Sequence, residues 1–202
     1  MKEVREVEAN RTNRLERRFE VMTREGAEGT EQSLYVEGYA VRFDSPTVLF
    51  TIGDVEYKEQ IDARAFDEAD MSDVIFNYNH GGKVMARTRN ETLELKADKQ
   101  GLFIRARLDG TEEGRRLYNE IKGGYIDRMS FAFTVREESY DAENHMWTIR
   151  KIKRLYDVSA VDIPAYDDTS IAARREFIAA EERRRELEQE LARRKLAVKC
   201  KI

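Results

Sequence analysis

Cysteine is almost missing from this chain. Cys200 is the only one, so no internal disulfide can form and a disulfide scaffold is excluded. Its place in the terminal stretch AVKCKI argues against a catalytic thiol, and a lone thiol fits a reducing compartment. Histidine is nearly as scarce: His80 and His145 are the only two, and neither stands in HExxH or CxxC spacing, so no zinc site is expected. No run approaches the roughly 20 apolar residues that span a bilayer. The first residues, MKEVREVEANRTNRLERR, are charged throughout rather than built around an apolar signal core, which predicts a soluble, intracellular protein. An excess of charge of one sign is also lacking: 36 Lys and Arg face 40 Asp and Glu, a formal net charge of −4. There is therefore no global electrostatic case for nucleic-acid binding.

What is present points to a globular body with an extension. At 202 residues the chain is long enough for one sizeable core, and 41% hydrophobic residues are too many for a disordered protein. Charged residues make up 38%, well above the usual quarter, which predicts solvated helices or tails beyond that core.

Residues 1–16 hold mostly charge and small polar groups without a sustained period and read as a flexible arm. From Arg17 the segments RRFEVMT and SLYVEGYAVRF alternate apolar and polar residues in the two-residue period of half-buried strands. Pro46 breaks the pattern, GDVEYKEQI resumes it, and DARAFDEAD reads as a turn or short helix before the strand VIFNYNH. Two further alternating runs, TLELKAD and GLFIRARL, meet at KQG as a hairpin. A helix follows: Thr111 caps it, Glu112 and Glu113 favour its positive end, Leu117 and Ile121 share a face, and Gly123 and Gly124 end it. Two long strand-like segments then flank the turn DAENH, and Pro164 closes the second.

Residues 168–202 change character, being rich in Ala, Glu, Arg and Leu. They predict a long charged C-terminal helix with an intermittent stripe at Ile171, Phe177, Ile178, Leu187, Leu191 and Leu196, and with Glu186 and Glu190 placed to pair Arg194. Such a helix serves equally as a solvated appendage or as a handle for oligomerisation or scaffold docking.

Candidate chemistry lies at His80, which closes VIFNYNH, and at Ser130 inside YIDRMSFAFTV. A histidine titrating near neutrality can take a serine proton and free the oxygen to attack an acyl carbon, so the pair reads as a base and its nucleophile. The glycines after His80 would let the chain turn tightly and leave the imidazole near a loop mouth. His145 sits in a hairpin turn and reads as non-catalytic, and Asp127 and Arg128 as a turn or ion pair. In the last strand Leu155, Asp157, Ser159 and Val161 share one face; Ser159 reads as structural, and Asp162, five residues after Asp157, falls on the other. A metal-dependent hydrolase using Asp157, Asp162 and His80 is disfavoured on that ground.

The segments EGYAVRFDS, IDARAF, FNYNH, TLELKADKQGLFIRARL, GGYIDRMSFAFTV and LYDVSAVDIPAYDDT occur in an order that resembles the prohead (capsid maturation) proteases of tailed bacteriophages, of the HK97 type, from about Arg17 to Ala173. The resemblance implies an α+β, antiparallel-rich closed β-barrel flanked by helices, like the herpesvirus assemblins. It divides the chain into the arm 1–16, a protease domain 17–167 and the helical extension 168–202. It implies that His80 of the Asn-His pair is the base, Ser130 the nucleophile and Asp157 the acidic third member, with no cofactor and no metal. Where the family pattern has Glu-Val-Ser, this chain has Asp157-Val158-Ser159, a carboxylate one methylene shorter; Gly81-Gly82 stand where an acidic residue often follows the histidine. The implied role is a serine endopeptidase acting in the host cytoplasm inside an assembling procapsid. Its implied partners are the major capsid protein or its scaffold segment and further copies of itself, with self-cleavage and homo-oligomers, no membrane and no specific nucleic acid. The competing expectation is a non-catalytic scaffold or assembly module of the procapsid.

Overall fold

Strands form wherever the sequence alternates. In the computed structural model, which describes residues 3–6, 12–18, 22–25, 33–162, 178–180 and 183–193, Val36 and Ala40 point inward from one strand, and Leu102, Ile104 and Ala106 from its neighbour. The twelve strands among the described residues are β1 (Glu3–Glu6), β2 (Thr12–Arg18), β3 (Met22–Glu25), β4 (Leu34–Arg42), β5 (Thr47–Ile52), β6 (Val55–Ile61), β7 (Ile75–Tyr78), β8 (Gly81–Arg87), β9 (Leu93–Ala97), β10 (Gly101–Arg107), β11 (Arg128–Asp141) and β12 (Met146–Val161). One helix, α1 (Glu112–Lys122), interrupts them, and the Thr111 hydroxyl accepts from the Gly114 amide at its start as the sequence predicts. The chain divides into two compact units, Met1–Tyr166 and Asp167–Ile202.

The strands make two sheets, one of eight strands and one of four in the order β3-β4-β10-β9. Eight of the ten ladders are antiparallel, as the hairpin signals require. The expected closed barrel is not observed. Closure needs continuous ladders around the sheet, and among the described residues the two sheets meet through a single bridge, Phe43 with Ile61. They are held instead by a shared core, with Ala40, Ile104 and Ala106 from the small sheet, Phe131, Ile152 and Leu155 from the large one, and Leu117 and Ile121 from α1.

The large sheet is built on the β11–β12 hairpin, whose ladder runs through thirteen residue pairs. The far edge of β12 takes β6 along Met146–Ile149 and β7 along Asp157–Ala160, both in parallel. With β11 and β7 on either side, Asp157–Val161 is an unbroken buried run rather than an alternating one.

The segment read as a flexible arm contains two strands. β1 and β2 both pair antiparallel with β11, because β12 satisfies only one edge of that strand and the other offers open backbone donors and acceptors whatever the arm's side chains. Of the long C-terminal helix, residues 178–180 and 183–193 are helical, a shorter extent than 168–202; Ile178 is buried, and Leu187 and Leu191 are exposed. Ile171, Phe177, Arg194 and Leu196 lie outside the described residues. Among the described residues no helix is long and apolar enough to cross a membrane.

Candidate active site

Backbone geometry positions His80. β7 and β8 are joined by only two residues, Asn79 and His80, and both take positive φ angles of 50° and 54°. That is the twist a two-residue hairpin needs, and Asn and His are among the side chains that tolerate it best. The turn is thus made by Asn79-His80 themselves, not by the following glycines, which begin β8. Two bonds dock it on the end of β12: the Asn79 amide donates to the Ala160 carbonyl at 2.9 Å, and Asn79 Oδ1 accepts from the Asp162 amide at 3.3 Å.

The sheet register brings the remaining groups to this turn. Ser130 on β11 lies opposite Ser159 on β12, and Ser159 lies beside Asn77 on β7, so three polar residues form a row across three strands. Asp157, two residues before Ser159, shares its face as the strand period dictates. His80 Nε2 is 2.6 Å from Ser130 Oγ, and His80 Nδ1 is 2.7 Å from Asp157 Oδ1. His80 therefore contacts both of the other residues named from the sequence, although 77 positions separate it from Asp157.

A carboxylate can only accept, so Nδ1 carries the proton toward Asp157 and Nε2 is left to accept from the serine hydroxyl. The missing methylene of aspartate is no obstacle here, since β7 lies directly beside β12 and the turn carries the imidazole back over Asp157. Both serines are fully buried, and the His80 and Asp157 side chains keep only 5% and 12% of their surface exposed. A charge formed on the imidazole would consequently be screened little by water.

Sequence reasoning missed two members of this cluster. Ser159, read as structural with no histidine in reach, places Oγ 3.2 Å from His80 Nδ1 and donates toward Asp157 Oδ1 at 2.6 Å and toward Asn77 Oδ1. Its single proton is shared between two acceptors, which ties the carboxylate to β7. The available signal was its i, i+2 spacing from Asp157; what hid it was that His80 arrives from a strand about 80 residues earlier.

Other candidates lie elsewhere. Asp162 accepts from the Tyr78 hydroxyl at 2.7 Å and does not join the His80 cluster; this bond, with burial second, pushes the Tyr78 phenol above its ordinary range. His145 is in the β11–β12 turn, its ring 5.0 Å from that of Tyr57 and tilted against it by 53°. Asp127 and Arg128 form an ion pair at 3.6 Å. Among the described residues no group of three or more His, Cys, Asp or Glu could hold a metal ion.

Residues 17–184 match the sequence model of a family described as caudovirus prohead serine protease. Among solved structures, that of the bacteriophage T4 capsid assembly protease gp21 is similar, with 16% identity, a TM-score of 0.46, and coverage of 77% of this chain and 100% of that one. No curated protein matches the chain.

Proposed function

Because the chain belongs to the caudovirus prohead serine proteases, we propose that Ser130, His80 and Asp157 are its catalytic triad and that it cleaves capsid or scaffold polypeptide during prohead maturation. The observation that supports this most is the continuous chain of contacts from Ser130 Oγ through both imidazole nitrogens to Asp157 Oδ1, at 2.6 and 2.7 Å.

In the acylation step His80 Nε2 takes the Ser130 proton as Oγ bonds to the peptide carbonyl carbon. The tetrahedral intermediate collapses with cleavage of the C–N bond, and the proton passes from Nε2 to the departing amine. Water then attacks the acyl-enzyme by the same route and restores the serine. Asp157 holds the imidazole with Nε2 free and balances the imidazolium; Ser159, itself bonded to Asn77, holds Asp157. The enzyme acts inside the assembling procapsid on capsid or scaffold chains and on copies of itself, for which the exposed charged residues of 183–193 offer accessible cleavage sites.

The direct test is co-expression with the phage's capsid protein and mapping of new termini by mass spectrometry. Ser130→Ala and His80→Ala should abolish every new terminus while circular dichroism stays unchanged. Asp157→Asn, which reverses the tautomer, should lower kcat by about 10³ to 10⁴. Processing that persists in Ser130→Ala would disprove the assignment, and a chain that assembles with capsid protein without cleaving it would favour the scaffold reading.

A further inference from the structure

The nucleophile lies on a strand whose second edge is taken by the chain's own N-terminal segment. β2 pairs with β11 over seven positions, from Arg128 with Arg18 to Thr134 with Thr12, and Glu16 stands opposite Ser130. Ser130 has no exposed surface in this arrangement. We infer that this edge of β11 is the docking edge for an extended polypeptide, and that residues 12–18 occupy it as an internal competitor that substrate must replace.

Three observations carry the inference. The first is that β11 has only one edge it can give up. β12 holds the other and carries both Asp157 and Ser159, so parting it from β11 would separate Ser130 from its relay. β2 supplies none of His80, Asp157 and Ser159, whose strands and turn are held by β7 and β12 instead.

The second is that β2 is held weakly by its own sequence. TNRLERR offers one apolar side chain, Leu15, in seven residues, whereas the neighbouring stretch of β12, Val158–Val161, is buried throughout. Apolar burial is the main source of strand stability, so β2 belongs to the low-stability end of the sheet. Backbone ladder bonds remain, and an incoming strand makes the same ones.

The third is where the family match begins. It starts at residue 17, immediately after the residue facing Ser130, so residues 12–16 lie outside the matched segment. Neighbouring strands lie about 4.8 Å apart, so a peptide in the place of β2 passes within a side-chain length of Ser130 Oγ. The identity of that peptide as substrate rests on the protease reading; the exchange of strands at the edge does not.

The test uses the full chain and a fluorescent synthetic peptide of residues 10–20 as probe. In the double variant Leu15→Pro/Glu16→Pro, two adjacent backbone donors are removed, one of which faces β11 whichever way the strand is set. The peptide should bind this variant at least about tenfold more tightly than it binds wild type, since a competitor favoured tenfold at the edge weakens apparent affinity by that factor. Equal affinity for the two, or binding by neither, overturns the inference. Amide exchange in wild type decides the matter where the variant fails to fold: amides of 12–18 should open about a hundredfold more often than those of 157–161, and equal protection of the two sides overturns it. Labelling of Ser130 by diisopropyl fluorophosphate, which has no peptide part, is read separately in the double variant, where the edge is open. Its absence would remove the protease reading while leaving the titration and exchange results to decide the edge.

Discussion

At the scale of single residues, the site depends on hydroxyl and carboxylate groups buried within one bond of each other. Ser159 is the instructive case, because it touches Asp157, Asn77 and the same imidazole nitrogen that faces Asp157. A hydrogen bond to a charged group contributes about 1.5–3 kcal/mol. Ser159→Ala should therefore lower kcat/KM by roughly tenfold to a hundredfold with KM little changed, and Ser159→Thr, which keeps the hydroxyl, should recover part of the loss. An unaltered rate in Ser159→Ala would show that Asp157 and the β7 turn orient the imidazole without it. The serine was visible in the sequence as a residue on the right strand face; its role was not, because face-sharing along β12 says nothing about which strand arrives alongside.

At the scale of elements, turns decide whether the pieces meet. The β9–β10 turn is organised by Asp98, whose carboxylate accepts from the Gln100 and Gly101 amides at 2.7 and 3.1 Å and from the Tyr39 hydroxyl at 2.7 Å. The Tyr39 bond, followed by that from Gln100, holds the Asp98 carboxyl below its ordinary value. A carboxyl lowered on folding stabilises the protein above its unfolded pKa, and that contribution disappears as pH falls through the folded value. The melting temperature should thus decline on acidification below about pH 4, the ordinary carboxylate range, and Asp98→Asn should show a lower midpoint at neutral pH with a shallower decline. A decline identical in wild type and Asp98→Asn would place the acid sensitivity elsewhere. Next to this turn, a Cβ on Gly101 would stand 1.8 Å from the Val41 carbonyl oxygen, and that oxygen is backbone that cannot swing aside. Gly101→Ala should cost about 1–3 kcal/mol, read as a lower urea midpoint at an unchanged slope. Full stability of the alanine variant would mean that β4 and β10 separate more easily than their ladder indicates.

At the scale of the whole Met1–Tyr166 unit, two sheets with a single bridging pair share one apolar core. Such a core couples them more strongly than a ladder would, since burial rather than pairing supplies most of the free energy. Ile104 in the small sheet and Ile152 in the large one are both fully buried in that core. Their amides should converge on one opening free energy as denaturant is raised in native-state exchange. Two distinct limiting values would mean that the sheets unfold independently and that the core does not bind them into one unit.

The local code of this protein is written plainly in its sequence. Alternation gave most of the strands from Leu34 to Val161, the Thr111 cap and the Gly123 end gave α1, and rarity gave His80 its interest, because each depends on neighbours within a few residues. The pairing of residues 3–6 and 12–18 was not legible because residues 1–16 have no pattern of their own; it is imposed by the open edge of β11. Barrel closure was likewise beyond local pattern, since it depends on whether distant edges meet. The proposed triad shows the division most clearly. Sequence order and residue type named His80, Ser130 and Asp157, but only the placing of β7 beside β12, and β12 beside β11, brings a turn, the start of a strand and a buried carboxylate within 2.7 Å. Side-chain chemistry is a property of each residue, whereas the distances that let the groups exchange a proton belong to long-range strand pairing, which no short stretch of sequence contains.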